Sequence, residues 1–296
     1  DVVTADGRLR HATAEENPDL FWGLRGGGGN LGIVTAMEAE LVPLRQVWGG
    51  ALFFDGQHAP AVLAAYRQWT AALPDELTSS VALLAYPDLP MLPAALRGRY
   101  VASVRLAFTG EPEVGERLLA PLRQVAPTLL DTVHVLPWTE SHTITTDPPE
   151  PHPYLGTNAV LRDLDPAAAQ TILELAGPDA PLPCVVQVNQ LGGALGRRSA
   201  VSNAVGHRDG RYLLRVLSVV GSSGRRPIAG AHERLLTALQ RVTVGRLVGF
   251  QFGEHSIEQT RACYDAADYR RLAALKATYD PENRFRCNHN VPPAAS

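Results

Sequence analysis

Apolar runs bounded by turn residues alternate along the chain with segments of helical spacing. The predicted strands are 47–54, 77–86, 100–108, 128–136, 159–164, 185–191 and 212–220. The predicted helices are 59–73, 113–125, 166–176, 231–242 and 265–278. Several strands follow one another through short links. The pattern therefore predicts an α+β fold, in which a mostly antiparallel sheet is flanked by helices that cover one of its faces.

The first residues, DVVTADGRLRHA, predict a β-hairpin, because apolar residues flank an Asp6-Gly7 turn. A further strand, expected to be buried, is predicted from Gly32 to Leu44, since it opens with the β-branched run Ile33-Val34-Thr35. Between them lies the most unusual stretch of the chain, FWGLRGGGGNLGIVT at residues 21–35.

Four consecutive glycines, Gly26 to Gly29, occupy the middle of this stretch. Each glycine costs roughly 0.5–1 kcal/mol relative to alanine in regular structure, so we interpret the run as a bare backbone loop and not as packing. Free backbone N–H groups in such a loop suit the phosphates or the flat ring of a large cofactor. A hairpin or a flexible loop without a ligand is the structural alternative.

Two common nucleotide motifs do not explain this loop. The pattern is not G-x-G-x-x-G between a strand and a helix, and no GK[ST] follows it. An enzyme that binds nucleotide phosphate with the glycine loop alone would need a lysine or an aspartate just after it. Residues 31–37 contain neither, which makes this function the least favoured.

Composition narrows the class of partner. The 296 residues carry a formal charge of −3, with a pI near 6.3, so neither a nucleic acid nor a membrane surface is expected as a partner. Three widely spaced cysteines form no CxxC pair, and no metal site is expected.

No secretory signal is visible, which favours a cytoplasmic location. Abundant arginine with a single lysine suggests a bacterial source, and a chain that starts at Asp1 inside a hairpin suggests a fragment of a longer protein.

Three stretches together resemble one protein family. They are the glycine stretch, LGGALGRRSAVSNAVGHRDGRY at 191–212, and YRRLAALKATYDPENRFRCNHNVPP at 269–293. The chain resembles the berberine bridge enzyme-like FAD-linked oxidases, within the vanillyl-alcohol oxidase or PCMH-type flavoprotein group. Most of the N-terminal FAD-binding half of that family has no counterpart in this sequence.

The resemblance implies FAD as cofactor and three parts of the chain. Residues 1–45 would end a PCMH-type FAD-binding domain, 46–255 would form the substrate domain, and 256–296 would return to the FAD domain. The residues implied to lie along FAD are Gly27, Gly28, Gly29, Asn30, Gly32, Ile33, Val34, Asn288 and Asn290. The structural alternative for Asn288 and Asn290 is a capped C-terminal turn, and Tyr279-Asp280-Pro281 is interpreted as a helix stop.

The implied function is that of an FAD-dependent oxidase. It would transfer a hydride from a small organic alcohol, sugar or aromatic substrate to flavin and then to O₂. Few charges in the predicted sheet suggest a neutral, partly apolar substrate. Besides this small-molecule substrate, a missing N-terminal FAD-binding segment is a possible partner. The alternative is a truncated, catalytically inactive remnant that serves as a ligand-binding or interaction module.

One departure from the family concerns the catalytic base, which the sequence leaves unassigned. Many relatives have a tyrosine and an asparagine two residues apart on a late strand, where this chain has Leu247 and Gly249. Leucine cannot act as a general base. Glu254 and His255 are the nearby substitutes, with a solvated loop pair as the alternative. In His207-Arg208, the arginine is expected to have a structural role, in an ion pair with Asp209 or a neighbour.

Overall fold

The computed structural model describes residues 1–145, 151–221, 224–253, 255–287 and 289–295. The chain divides into two compact units. Unit 1 contains Asp1–Val42, Arg197–Asp209 and Val244–Ser296, and unit 2 contains Pro43–Gly196 and Gly210–Thr243. The segment Arg197–Asp209 thus lies in unit 1, and the three-part division drawn from the sequence stays a prediction.

Helices and strands follow the predicted order closely. The α-helices are α1 (Pro18–Leu24), α2 (Ala59–Trp69), α3 (Pro112–Arg123), α4 (Pro166–Ala176), α5 (Arg225–Ala238), α6 (Ile257–Arg261) and α7 (Ala266–Tyr279). The β-strands are β1 (Val2–Val3), β2 (Leu9–Arg10), β3 (Ile33–Val34), β4 (Gln46–Asp55), β5 (Leu77–Ala85), β6 (Tyr100–Phe108), β7 (Thr128–Asp131), β8 (His134–Pro137), β9 (Tyr154–Leu161), β10 (Val185–Gln190), β11 (Tyr212–Val219) and β12 (Thr243–Gly245). Within the described ranges, none of these helices is long and apolar enough to cross a membrane.

A large sheet forms the body of unit 2. Its strand order is β12-β9-β11-β10-β5-β6-β4-β7, and β8 also pairs with β4. From β9 to β7 the neighbouring strands are antiparallel. Helices α2 to α5 pack with this sheet around one apolar core. The prediction of an α+β fold with a mostly antiparallel sheet flanked by helices is confirmed.

Alternation of side chains along the strands explains why the helices cover a single face of the sheet. Val104 and Leu106 of β6 point into the core beside Tyr66 of α2, and all three are buried. The residues that alternate with them along β6, Ser103 and Arg105, belong to the opposite face. This second face, free of α2 to α5, is called the helix-free face below.

Local signals in the sequence set the ends of several helices. Helix α4 begins after Asp165, whose carboxylate accepts a hydrogen bond from the N–H of Ala168 at 2.8 Å, and Pro166 occupies its first position. Helix α7 ends at Tyr279, before Pro281, as the helix-stop interpretation predicts.

Unit 1 has a small sheet of order β2-β1-β3 and its own apolar core. The predicted hairpin is confirmed, with Gly7 at a φ of +77° in its turn. Trp22 of α1 and Leu272 of α7 pack in this core. The Arg271 guanidinium lies 4.0 Å from the centroid of the Trp22 ring, which is a cation–π contact.

Two predicted strands are wrong in extent. The strand predicted from Gly32 to Leu44 is limited to β3, because only Ile33 and Val34 find a partner strand, β1. Their side chains are 58% and 55% exposed, so the strand is not the buried one that the sequence predicts. The run predicted at 128–136 is divided into β7 and β8.

Candidate functional site

The glycines of the loop fall into two groups, and the first group is needed for packing. A Cβ on Gly26, which has a φ of +121°, would lie 2.7 Å from the backbone nitrogen of Val205. A Cβ on Gly27 would clash with the carbonyl oxygen of Gly23, and one on Gly32 would lie 2.6 Å from a side chain of β1. The prediction that the run has no packing role is therefore wrong for Gly26 and Gly27, because neighbouring segments leave no room for a side chain.

Gly28 and Gly29 form the second group and are exposed. No atom lies within 4 Å of a Cβ built on Gly29. A Cβ on Gly28, which has a φ of +69°, would be 3.7 Å from the Asn30 amide nitrogen and 4.0 Å from the Tyr264 hydroxyl. These two residues present bare backbone to open space beside polar side chains, which is the geometry a backbone-binding ligand requires.

Asn30 fixes the loop against the C-terminal tail. Its amide nitrogen donates to the carbonyl oxygens of Gly27 at 2.8 Å and His289 at 2.9 Å. Its amide oxygen accepts from the N–H of Val291 at 2.8 Å. The side chain of Asn30 is thus occupied by protein groups, and its contribution to the site is to bring the glycine loop and the tail together.

A buried ion pair supports the same junction. Lys276 and Asp280 have fully buried side chains, and their charged atoms lie 2.6 Å apart. The Lys276 ammonium also donates to the carbonyl oxygens of Asn30 at 2.8 Å and Phe285 at 2.6 Å. Burial opposes ionisation of Asp280, but hydrogen bonds from Lys276 and from two backbone N–H groups outweigh it and keep the pKa of this carboxyl below its ordinary value.

Beside the loop lies a group of buried polar atoms that have no hydrogen-bond partner among the described residues. We call the five side chains concerned the polar cluster: Gln251, His255, Tyr264, His289 and Asn290. The orphaned atoms are Gln251 Oε1, both ring nitrogens of His255, the Tyr264 hydroxyl, His289 Nε2 and Asn290 Oδ1. Buried polar atoms are nearly always satisfied in proteins, so several orphans in one place indicate a position for a ligand or water.

Contacts within unit 1 hold the polar cluster together. The rings of His255 and His289 are stacked, with centroids 5.1 Å apart and planes 18° from parallel. The Gln251 amide nitrogen lies 3.8 Å from the sulfur of Cys263, the residue before Tyr264. The cluster therefore combines side chains from the loop before α6, the α6–α7 connection and the tail.

Burial makes the polar cluster uncharged at neutral pH. It lowers the pKa of both His255 and His289, and the neighbouring His289 ring lowers the pKa of His255 further. The Gln259 side chain opposes this shift only in part. Burial also raises the pKa of Tyr264. Amides, a phenol and neutral imidazoles offer both donors and acceptors, which suits the edge of an uncharged polar ring.

Comparison with known proteins shows which proteins the chain is similar to. Residues 252–292 match the family model described as "Berberine and berberine like". The chain is 29% identical, over 99% of its length, to the "Uncharacterized FAD-linked oxidoreductase YgaK" of Bacillus subtilis. It is 27% identical, over its whole length, to (R)-6-hydroxynicotine oxidase of Paenarthrobacter nicotinovorans. The chain is thus similar to FAD-linked oxidoreductases over nearly its whole length, and its C-terminal segment matches the berberine-type family model.

A solved structure has the same fold. The carbohydrate oxidase of Microdochium nivale superimposes with a TM-score of 0.81 at 19% identity, over 99% of this chain. The chain spans 64% and 65% of the length of the two relatives named above and 65% of that structure. The resemblance to FAD-linked oxidases that the three sequence stretches indicate is confirmed.

The structure brings some of the predicted site residues together and not others. Gly28, Gly29 and Asn290 lie at or beside the polar cluster, whereas Ile33 and Val34 lie in β3. Asn288 lies outside the described residues. The sequence did not mark Gln251, Tyr264 or His289 as site residues. For His289 the only signal was its position between the two asparagines of the tail.

The stretch predicted to replace the family's tyrosine and asparagine forms no strand at those positions. Leu247 is partly buried and Gly249 is exposed, and the short 3₁₀ turn Val248–Phe250 begins between them. Of the two suggested substitutes, Glu254 lies outside the described residues and His255 belongs to the polar cluster.

His207 and Arg208 connect segments of unit 1. A ring nitrogen of His207 lies 2.9 Å from the Ala262 carbonyl oxygen, and the Arg208 guanidinium donates to Asn203 Oδ1 at 3.0 Å and to the Arg197 carbonyl oxygen at 3.2 Å. These contacts support the predicted structural role of Arg208.

Proposed function

We propose that this protein is an FAD-dependent oxidase and that unit 1 supplies part of its FAD site. The observation that carries the proposal is the set of orphaned polar atoms beside the open backbone of Gly28 and Gly29. The names of the relatives, an FAD-linked oxidoreductase and a hydroxynicotine oxidase, support the same function.

Each part of the proposed site has a distinct role. Gly28 and Gly29 allow the backbone to approach the cofactor without a side chain in between. Gln251, Tyr264 and Asn290 provide hydrogen bonds to uncharged polar edges of the cofactor, since each has an unused polar atom. Asn30 holds the loop and the tail in the positions that these contacts need.

The flavin, when bound, supplies the hydride acceptor and the reaction with O₂. The chain orients the substrate, excludes water and accepts the substrate's proton. His255 is our candidate for the proton acceptor, because burial favours its neutral form and neither ring nitrogen is engaged in a hydrogen bond. A small organic alcohol, sugar or aromatic alcohol is the proposed substrate class.

Titration of the purified protein with FAD, followed by quenching of flavin fluorescence, tests the proposed site. Gly29→Val should weaken FAD binding at least tenfold, because the new side chain fills the open space beside the loop. Gly221→Val is the matched control, since Gly221 also has no atom within 4 Å of a built Cβ but lies in unit 2. Equal affinities of the two variants for FAD, with both folded by circular dichroism, would contradict the proposal.

A second candidate function is a ligand-binding or interaction module without flavin chemistry. It is favoured by Leu247 and Gly249, which replace the tyrosine and asparagine of many relatives and cannot perform acid–base chemistry. This function predicts a folded, colourless protein that does not bind added FAD. Binding of FAD that depends on Gly29 would exclude it.

A further inference from the structure

Arg105 occupies a central position on the helix-free face of the large sheet. It lies in β6, directly opposite Ser80 of β5 on one side and Ala51 of β4 on the other. Directly opposed residues of antiparallel strands share a face, and alternate residues of one strand do too. The nearest neighbours of Arg105 on this face are therefore Ala51, Ser80, Ser103 and Ala107, which are all small.

The guanidinium of Arg105 has no partner within the part of the chain that the structure describes. Its Nε is buried without a hydrogen bond, and the side chain forms no ion pair or ring contact. Four other arginines of unit 2 bind carboxylates: Arg67 contacts Asp163, Arg99 contacts Asp55, Arg123 contacts Asp131 and Arg241 contacts Asp165. A half-buried cation without a counter-ion is costly, and it persists most readily where a ligand supplies the missing charge.

Neighbouring groups on the same face add to the positive, polar character of this position. The hydroxyl of Ser103 is a second buried polar atom without a partner. Gln187 donates to the Ser80 hydroxyl at 3.3 Å and accepts from the Arg215 guanidinium at 2.8 Å. A chain of polar groups thus links a second arginine to the residue opposite Arg105.

The acidic residue that β4 contributes to this face does not neutralise Arg105. Asp55 is at the end of the strand, four residues beyond the position opposite Arg105, and its carboxylate is bound by Arg99 at 2.9 Å.

We propose that Arg105 binds the carboxylate of a small organic acid on the helix-free face. The planar guanidinium fork matches a carboxylate with two parallel hydrogen bonds, and the unpartnered Ser103 hydroxyl on the same face offers a further donor. Identifying that acid as the oxidase substrate rests on the proposed function, whereas its binding does not. On that identification, the proposed substrate is an alcohol that also carries a carboxylate group.

Three matched pairs of small molecules test this site: acetate and acetamide, benzoate and benzamide, glucuronate and glucose. The readout is the NMR signal of the Arg105 Nε–H group in the full chain, assigned from its loss in Arg105→Gln. We expect at least one of the carboxylates, and none of the neutral partners, to shift this signal and to raise the midpoint of thermal unfolding.

The variants separate binding from folding and from FAD chemistry. Arg105→Gln should bind the same acid at least tenfold more weakly, and Arg105→Lys should bind it with intermediate affinity because it keeps the charge without the fork. Arg117→Gln, which removes an exposed arginine of α3, is the matched control and should bind like the wild type. Equal affinity in Arg105→Gln and Arg117→Gln, an equal response to the neutral partners, or no shift with any carboxylate would overturn the proposal. Because no flavin is needed, failure here leaves the oxidase proposal standing.

Discussion

Replacing Lys276 with methionine tests the buried ion pair that joins the glycine loop to the tail. Methionine preserves most of the apolar stem but removes the ammonium, and with it the hydrogen bonds to Asp280, Asn30 and Phe285. The Asp280 carboxylate then remains fully buried, with hydrogen bonds only from the backbone N–H groups of Arg284 and Phe285.

The expected loss in the free energy of unfolding of unit 1 is about 3–5 kcal/mol. This is the usual cost of removing one partner of a buried ion pair, because an uncompensated charge remains inside the protein. It is a large fraction of the roughly 5–15 kcal/mol that stabilises a typical domain. The loss should shrink as the pH falls, since without Lys276 the pKa of Asp280 rises and protonation relieves the buried charge.

Amide hydrogen exchange of α7 measures this loss in unit 1 alone, which matters because a chain of two units need not unfold in one step. The double variant Lys276→Met with Asp280→Asn should regain most of the stability, since no buried charge is left. Arg284→Met is the control, because it breaks only an exposed ion pair with Glu282 and should cost less than about 1 kcal/mol.

The reasoning is refuted if Lys276→Met lowers the exchange free energy of α7 by less than about 1 kcal/mol. It is also refuted if the double variant is less stable than the single one, because the penalty then does not come from the unpaired carboxylate.

Two further predictions concern His232 and the glycine loop. Burial lowers the pKa of His232 to about 4 from an ordinary value near 6.5, so unit 2 should be most stable above pH 6.5 and lose up to about 3 kcal/mol as the pH falls towards 4. Urea unfolding at a series of pH values should show this loss in the wild type and a smaller dependence on pH in His232→Gln. The same dependence of the unfolding free energy on pH in both proteins would count against it. Gly27→Ala should destabilise unit 1 by more than about 1 kcal/mol because a Cβ meets the Gly23 carbonyl oxygen, whereas Gly29→Ala should change stability by less than about 0.5 kcal/mol. Thermal unfolding compares the two variants, and equal midpoints would contradict the assignment of the two groups of glycines.

The helices and strands of unit 2 could be predicted because the signals for them lie within short stretches of sequence. Helix α4 follows from Asp165 and Pro166 at its start, and β5, β6 and β11 follow from apolar runs of strand length. The face of the sheet on which Arg105 lies could not be predicted, because that requires the register between β4, β5 and β6.

The candidate site in unit 1 could be predicted only in part, because it joins distant segments. The glycine loop and Asn290 stand out in the sequence, but the bond from Asn30 to the His289 carbonyl oxygen joins residues 259 positions apart. The role of Gly26 depends on Val205, which no local pattern connects to it. Lys276 and Asp280 have the spacing of a helical ion pair, but nothing in that spacing shows that both are fully buried.

The most direct test of the central claim is an FAD titration of isotope-labelled protein, followed by the NMR signals of individual residues. We expect the amide signals of Gly28 and Gly29 and the side-chain signals of His255, His289 and Asn290 to shift together with one affinity. Shifts confined to other parts of the chain, or none at saturating FAD, would contradict the proposal that these residues form part of the FAD site.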